Sequence, residues 1–222
     1  MTALSEDSGS PPARVVLVDD HALVREAVTA TLARSGAYRV VGEAEGTPEA
    51  LALVRELQPD VVVVDLSLRA GSGLELLRRL HDEFPRLQLL VLTMFDEAVY
   101  GERVLRAGAD GFLSKHTRSE EVLETLEAIG RGERVFRPET FARLRGRAPA
   151  GAEDDVLAEL TDRELQVFEL IGQGLGTRQI AERLHRSVHT IETHREKLKR
   201  KLDLHGSAEL AKRAVEWVLR HE

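Results

Sequence analysis

Two short apolar runs, residues 15–18 and 60–64, are rich in Val, and each ends in carboxylates: Asp19 and Asp20 close the first, Asp65 the second. Runs of this kind suit strands of a parallel sheet, which are buried on both faces and so carry apolar side chains throughout. A helical pattern follows each run, so strand and helix alternate and the acids fall at the carboxyl ends of strands one and three. The expected fold class is therefore α/β, a doubly wound five-stranded parallel sheet of order 2-1-3-4-5. In that order strands one and three are neighbours, and the crevice beyond their ends is where such sheets bind ligands.

An Asp after a strand is commonly a turn residue or a helix cap. A pair and a single at matched ends of two adjacent strands instead make one acidic pocket. Three carboxylates brought together repel one another and call for a cation. Oxygen-only ligands suit Mg²⁺, which keeps several waters and takes one or two carboxylates. Thr93 ends a further run, 87–92, and Lys115 follows another, 111–113. A hydroxyl and an ammonium at the same sheet edge can hold phosphoryl oxygens, and a carboxylate among them can serve as a phosphoryl-accepting nucleophile. A nucleotide- or flavin-binding enzyme on the same fold would need a Gly-rich loop after strand one, where this chain has Asp19-Asp20-His21.

The ordered set Val15-Val16-Leu17-Val18-Asp19-Asp20-His21, Val63-Val64-Asp65-Leu66, Leu90-Val91-Leu92-Thr93 and Gly111-Phe112-Leu113-Ser114-Lys115 resembles the receiver domain of bacterial response regulators, a flavodoxin-like fold. The resemblance implies that Asp65 is the phosphoacceptor. It makes Asp20 and Asp65 direct Mg²⁺ ligands together with the Ser67 backbone carbonyl, Asp19 a ligand through water, and Lys115 a phosphoryl contact. Thr93 and Phe112 become a switch pair, Thr93 moving toward the phosphoryl group as the Phe112 ring turns inward. Where that family usually carries Met-Pro after the acceptor, this chain reads Leu68-Arg69-Ala70-Gly71, and the missing Pro frees the backbone there.

Cys is absent, which excludes disulfides and thiolate chemistry. No apolar stretch approaches the ~20 residues of a membrane span, and the N-terminal residues lack the apolar core of a signal peptide, so the expected location is the cytoplasm. The net charge of −7 divides unevenly: residues 1–156 hold 19 Lys+Arg against 27 Asp+Glu, whereas 157–222 hold 12 against 11, together with five of the eight His. The reading divides the chain into a disordered tail at 1–12, the receiver-like domain at 13–132, a linker at 133–156 rich in Gly, Ala and charge, and a second domain at 157–222.

That second domain is all-α, with four helices. Thr161 and Glu164 fit a capping box, and Leu160 with Leu165 a hydrophobic staple. The first helix breaks at Gly174-Leu175-Gly176. A second helix runs from Thr177 to Leu184, and after His185-Arg186, Ser187 caps a third that buries Val188, Ile191, Leu198 and Leu202. A fourth, 207–219, carries a stripe at Leu210, Ala214, Trp217 and Val218. Two short helices joined by a tight turn, the second polar and basic on its outer face, match the geometry that enters a DNA major groove. The segments Leu160-Thr161-Asp162-Arg163-Glu164, Gln179-Ile180-Ala181-Glu182-Arg183-Leu184 and Ser187-Val188-His189-Thr190-Ile191-Glu192-Thr193-His194 resemble the LuxR-type helix-turn-helix domain.

The combined reading is a NarL/LuxR-type regulator that binds double-stranded DNA, is switched when a sensor histidine kinase phosphorylates Asp65, and acts as a homodimer; it is not an enzyme. A regulator controlled by protein contacts without phosphorylation is the alternative, and the intact acid, Thr and Lys set argues against it. The DNA-facing residues are Thr177, Arg178, Ser187, His189, Thr190, Glu192, Thr193, Glu196, Lys197, Lys199, Arg200 and Lys201. Val215, Trp217 and Val218 are the candidate dimer contacts.

Overall fold

The structure is a computed structural model that describes residues 11–68, 71–145, 157 and 160–221. The expected tail up to residue 10 and the central linker, 146–156, lie outside the described residues. Strands β1 (Ala13–Val18), β2 (Tyr38–Ala44), β3 (Val61–Val64), β4 (Gln88–Thr93) and β5 (Gly111–Ser114) alternate with helices α1 (Ala22–Ser35), α2 (Thr47–Leu57), α3 (Gly73–Glu83), α4 (Glu97–Arg106) and α5 (Ser119–Gly130). The sheet order is β2-β1-β3-β4-β5, and every pairing is parallel. Asp60 is not in β3. Its carboxylate instead accepts the Arg14 N–H at 2.7 Å, pinning the start of β3 to β1.

The two-residue period of the strands sorts the Val-rich runs onto two cores. Val16, Val18, Val62, Val64, Leu89 and Val91 pack toward α2, α3 and α4, while Val15, Leu17, Val61, Val63, Leu90 and Leu92 pack toward α1 and α5. All twelve are 6% exposed or less. Burial on both faces is why these strands carry no polar alternation until the acids at their ends. Register fixes those ends together: Val18 pairs with Val64 and Val64 with Val91, so Asp19, Asp20 and Asp65 emerge side by side.

The first part of the expected linker is ordered. Val135 forms a bridge with Gly111, and a helix absent from the sequence reading, α6 (Pro138–Leu144), follows it. Pro138 suits the first turn of a helix. Glu97 of α4 anchors this segment by accepting from the Arg137 N–H and from Thr140 Oγ1 at 2.8 Å.

The C-terminal helices are α7 (Asp162–Gly172), α8 (Thr177–Arg183), α9 (Val188–Lys201) and α10 (Ser207–His221). The capping box of α7 forms as read: Thr161 Oγ1 accepts the Glu164 N–H and Glu164 accepts the Thr161 N–H. Leu160 and Leu165 are both 2% exposed. Gly172 lets α10 approach closely, because a Cβ there would sit 2.5 Å from the Ala214 carbonyl oxygen.

Helix α7 lies against the receiver half. Arg103 of α4 donates to the carbonyls of Leu160 and Leu157 and to Asp162 at 2.8–3.0 Å. Arg78 of α3 reaches Asp162 at 3.2 Å, and the buried Gln166 amide donates to the Leu66 carbonyl at 3.4 Å. The apolar core on the α3–α4 side continues through Leu157 and Leu160 into the helical domain. Among the described residues, no helix is long and apolar enough to cross a membrane.

Candidate functional site

The carboxyl ends of β1, β3, β4 and β5 gather Asp19, Asp20, Asp65, Thr93 and Lys115 at one edge of the sheet. Lys115 is the electrostatic centre: its ammonium lies 2.6 Å from Asp19 and 2.7 Å from Asp65, with 6% of the side chain exposed. The Lys115 N–H donates to the Thr93 carbonyl at 2.7 Å, which locks β5 to β4 just where the ammonium must be aimed. Asp65 also accepts the Ser67 N–H at 3.1 Å. Burial pushes the Asp65 carboxyl above its ordinary value, and Lys115 pulls it back only in part. Gly73 belongs to this site as well. A Cβ there would lie 2.2 Å from the Asp65 carbonyl oxygen, so only glycine lets α3 start this close to the acceptor.

Among the described residues, three buried polar atoms in the pocket have no hydrogen-bond partner, both Asp20 carboxylate oxygens and Thr93 Oγ1, and the Asp20 oxygens meet only the His21 and His185 nitrogens, at 2.9 and 3.0 Å. Buried polar groups are nearly always satisfied, and charged ones cost most when they are not. Asp19, Asp20, His21 and Asp65 together offer ligand atoms within 4.8 Å of one another. The donor set is mainly carboxylate oxygen, which fits a hard divalent cation such as Mg²⁺. Phe112 is buried, 4% exposed, and lines a cavity of ≈ 390 Å³ shared with Glu169 and Trp217 of the helical domain.

In that domain Ser187 Oγ accepts the Thr190 N–H at 3.0 Å and starts α9 as read. Gly176 uses a different cap, its N–H donating to Gln179 Oε1 at 2.8 Å. His189, Glu192, Thr193, Glu196, Lys197 and Arg200 stand exposed on α9, and Arg178 on α8. Thr177 and Thr190 are half-buried, and Val188, read as core, is 44% exposed.

The chain matches two families in succession: the response regulator receiver domain over residues 15–127 and the luxR family of bacterial regulatory proteins over 158–214. It is 33% identical over 193 residues to the response regulator protein VraR of Staphylococcus aureus, an alignment covering 86% of this chain and 90% of VraR.

The chain is a LuxR-family response regulator.

Solved structures extend the match. RcsB from Salmonella enterica serovar Typhimurium, bound to the promoter rprA in the presence of the phosphomimetic BeF₃⁻, is 26% identical, with TM-score 0.59 over 90% of this chain and 97% of that one. A LuxR-family response regulator from an Aurantimonas species is 34% identical, with TM-score 0.55 over 61% of this chain and 96% of its own. The regulator therefore carries a receiver domain and a DNA-binding domain, and its relatives act on transcription rather than as enzymes.

Within the regulator, three residues of the sequence-based set have additional or different neighbours. Lys201 pairs at 2.7 Å with the nearly buried Glu164. Burial pushes that carboxyl up, but Lys201 and Thr161 outweigh it and hold it below its ordinary value. Lys199 pairs with Glu196 at 2.7 Å. Trp217, offered as a dimer contact, is a core residue: it is 4% exposed and packs on Phe168 with ring centroids 5.6 Å apart. Its neighbours on α10 divide, Val215 being 37% exposed and Val218 packed on the core.

Sequence reasoning did not single out His185, Gln166 or Glu169. His185 Nε2 stands 3.0 Å from Asp20 Oδ2. Glu169, 4% exposed, faces Tyr100 of α4, and its carboxyl is pushed up to about 8, first by burial. The available signal was polarity at inward positions of α7, where Glu164, Gln166 and Glu169 are all buried.

Proposed function

We propose that a partner histidine kinase switches this regulator by phosphorylating Asp65, and that two phosphorylated chains bind double-stranded DNA through α9. The observation that carries this reading is the cluster of Asp19, Asp20 and Asp65 around the Lys115 ammonium, beside a buried Thr93 hydroxyl with no hydrogen bond among the described residues. In the transfer, an Asp65 carboxylate oxygen forms the O–P bond as the P–N bond to the donor imidazole breaks. The leaving imidazole takes the electron pair and then a proton from water. Asp20, Asp65 and the Ser67 carbonyl would hold Mg²⁺, with Asp19 acting through water. The ion's contribution is to neutralise charge on the phosphoryl oxygens. Lys115 leaves its pairing with Asp19 and Asp65 to hold one phosphoryl oxygen, and the Thr93 hydroxyl gains in another the partner it lacks. Phe112 then packs where Thr93 stood.

On DNA, Arg178, Ser187, Thr190, Lys197, Lys199 and Arg200 hold the backbone, giving an affinity that falls with salt. His189, Glu192, Thr193 and Glu196 face the base edges, where a carboxylate accepts from the cytosine amino group and a Thr methyl packs on thymine. On α10, Val215 is exposed, as is Leu219, and Val215 is the proposed contact for pairing two chains. The test is phosphorylation by a small phosphodonor with Mg²⁺. Wild-type protein should gain one hydroxylamine-sensitive phosphoryl group by intact mass and Asp65→Asn none; equal labelling of the variant would rule out the assignment.

A further inference from the structure

We propose that Asp20, His21 and His185 form an interdomain binding site for a transition-metal ion of the Zn²⁺ type, which ties the helix-turn-helix domain to the receiver domain. His21 follows β1 and His185 occupies the turn between α8 and α9, so the two imidazoles reach one carboxylate from opposite domains. His21 Nδ1 lies 2.9 Å from Asp20 Oδ1, and His185 Nε2 lies 3.0 Å from Asp20 Oδ2. Ligand atoms of all three residues fall within 4.8 Å of one another.

The geometry of these approaches points to an ion between the groups. Both Asp20 oxygens are buried and neither has a hydrogen bond, although an imidazole nitrogen stands within 3.0 Å of each. The nitrogens are near the oxygens but not aligned to donate to them. Two ligand atoms ~3 Å apart subtend roughly 90° at an ion placed ~2.1 Å from each. That is the angle between adjacent ligands in a five- or six-coordinate shell, with Asp20 bidentate between the two imidazoles. His21 is 51% and His185 32% exposed in their side chains, which leaves a path for entry and room for water ligands.

The ligand chemistry selects the ion. Mg²⁺ takes oxygen, whereas imidazole suits Zn²⁺, Cu²⁺ and Ni²⁺. His21 Nδ1 also contacts Asp19 Oδ1 at 3.2 Å. Binding turns that nitrogen's lone pair to the metal, and any proton on it leaves to solvent. The backbone of His185 is built for the position, with φ +49°, a left-handed conformation that Asn and His adopt more readily than most residues. Asp20 is also a ligand of the proposed Mg²⁺ pocket, so competition between the two ions rests on the phosphorylation reading, while the site itself does not.

The test is Zn²⁺ titration of the full chain by calorimetry, without phosphodonor, comparing wild type with His21→Asn and His185→Asn. Asn keeps the left-handed turn at 185 and removes the imidazole. Wild type should bind one Zn²⁺ at this site, and each variant should bind it at least ~10-fold more weakly. A dye on each domain should report Zn²⁺-induced approach or immobilisation in wild type and not in His185→Asn. No Zn²⁺ binding by wild type, or equal affinity in His185→Asn, would overturn the proposal. Mg²⁺-dependent labelling of Asp65 in His185→Asn, measured in parallel, is expected to persist. It separates a failure of this site from a failure of the phosphorylation reading.

Discussion

Protonation of Glu169 should control how tightly the two domains dock. The carboxyl sits on α7 against the receiver, with Tyr100 and Asp96 facing it from the receiver side and Arg183 and Gln173 from its own domain. Burial pushes it up from 4.5 to about 8. If the domains separate, water returns it to its ordinary value. The docked state therefore has the raised value. Its stabilisation is complete below about pH 4.5 and is lost as pH rises through about 8. At ~1.4 kcal/mol per unit of difference, docking at pH 7 should be about 3 kcal/mol weaker than at the acid end, on the order of 100-fold in the docked-to-open ratio. Because the chain has no Cys, one cysteine introduced per domain allows dye pairs to read that ratio between pH 5 and 8. Glu169→Gln keeps the shape and the acceptor used by the Gln173 amide at 3.3 Å but cannot titrate. It should flatten the Glu169 share of the profile and raise docking at pH 7. His21 and His185 at the acidic pocket remain in both proteins, so the difference between the two profiles isolates Glu169. An unchanged slope in Glu169→Gln, or wild-type docking that strengthens with rising pH, would refute the reasoning.

Further outcomes follow from the same contacts. Thr93→Ala should still accept the phosphoryl group on Asp65 yet lose most of a phosphorylation-linked gain in DNA affinity, which for such coupling is typically ~5–150-fold; titrating DNA with and without phosphodonor measures it. Lys201→Ala removes the cation from Glu164, whose side chain is 4% exposed and which then keeps the Thr161 N–H, and should lower helix-turn-helix stability by roughly 1–3 kcal/mol in a denaturant melt. Lys199→Ala breaks a pair in which Glu196 is 68% and Lys199 19% exposed; it should cost less in the melt than Lys201→Ala while flattening the salt dependence of DNA binding. Glu192→Ala should relax base preference at one position of the site by roughly 1–3 kcal/mol, read by selection from random DNA; equal loss on specific and random sequences would make Glu192 surface charge.

The sheet and its pocket were legible because their signals are local. A Val run says strand, the carboxylate after it marks the strand end, and a parallel order then decides which ends meet. The capping box at Thr161 and Glu164 was legible for the same reason, its partners being three residues apart. The interdomain contacts were not. Gln166 meets the Leu66 carbonyl across 100 residues of sequence, and nothing in either segment specifies the other. Polar residues on an inward helix face indicate that something polar must cover them, not what does. Helix α6 was missed because seven residues carry too little periodicity, although Pro138 and Glu139 form a helix-start signal. Lys201 read as a phosphate contact because charge was counted along the helix, whereas the fold turns that side chain back to Glu164.

The central claim is that chemistry at Asp65 governs the DNA-binding half. Its most direct test is the affinity of the full chain for its selected DNA site at fixed salt, with and without a phosphodonor and Mg²⁺, in wild type and Asp65→Asn. The account predicts tighter binding on phosphorylation of wild type and no response from the variant. An equal response from both proteins, or quantitative phosphorylation of wild type with no change in affinity, would contradict it.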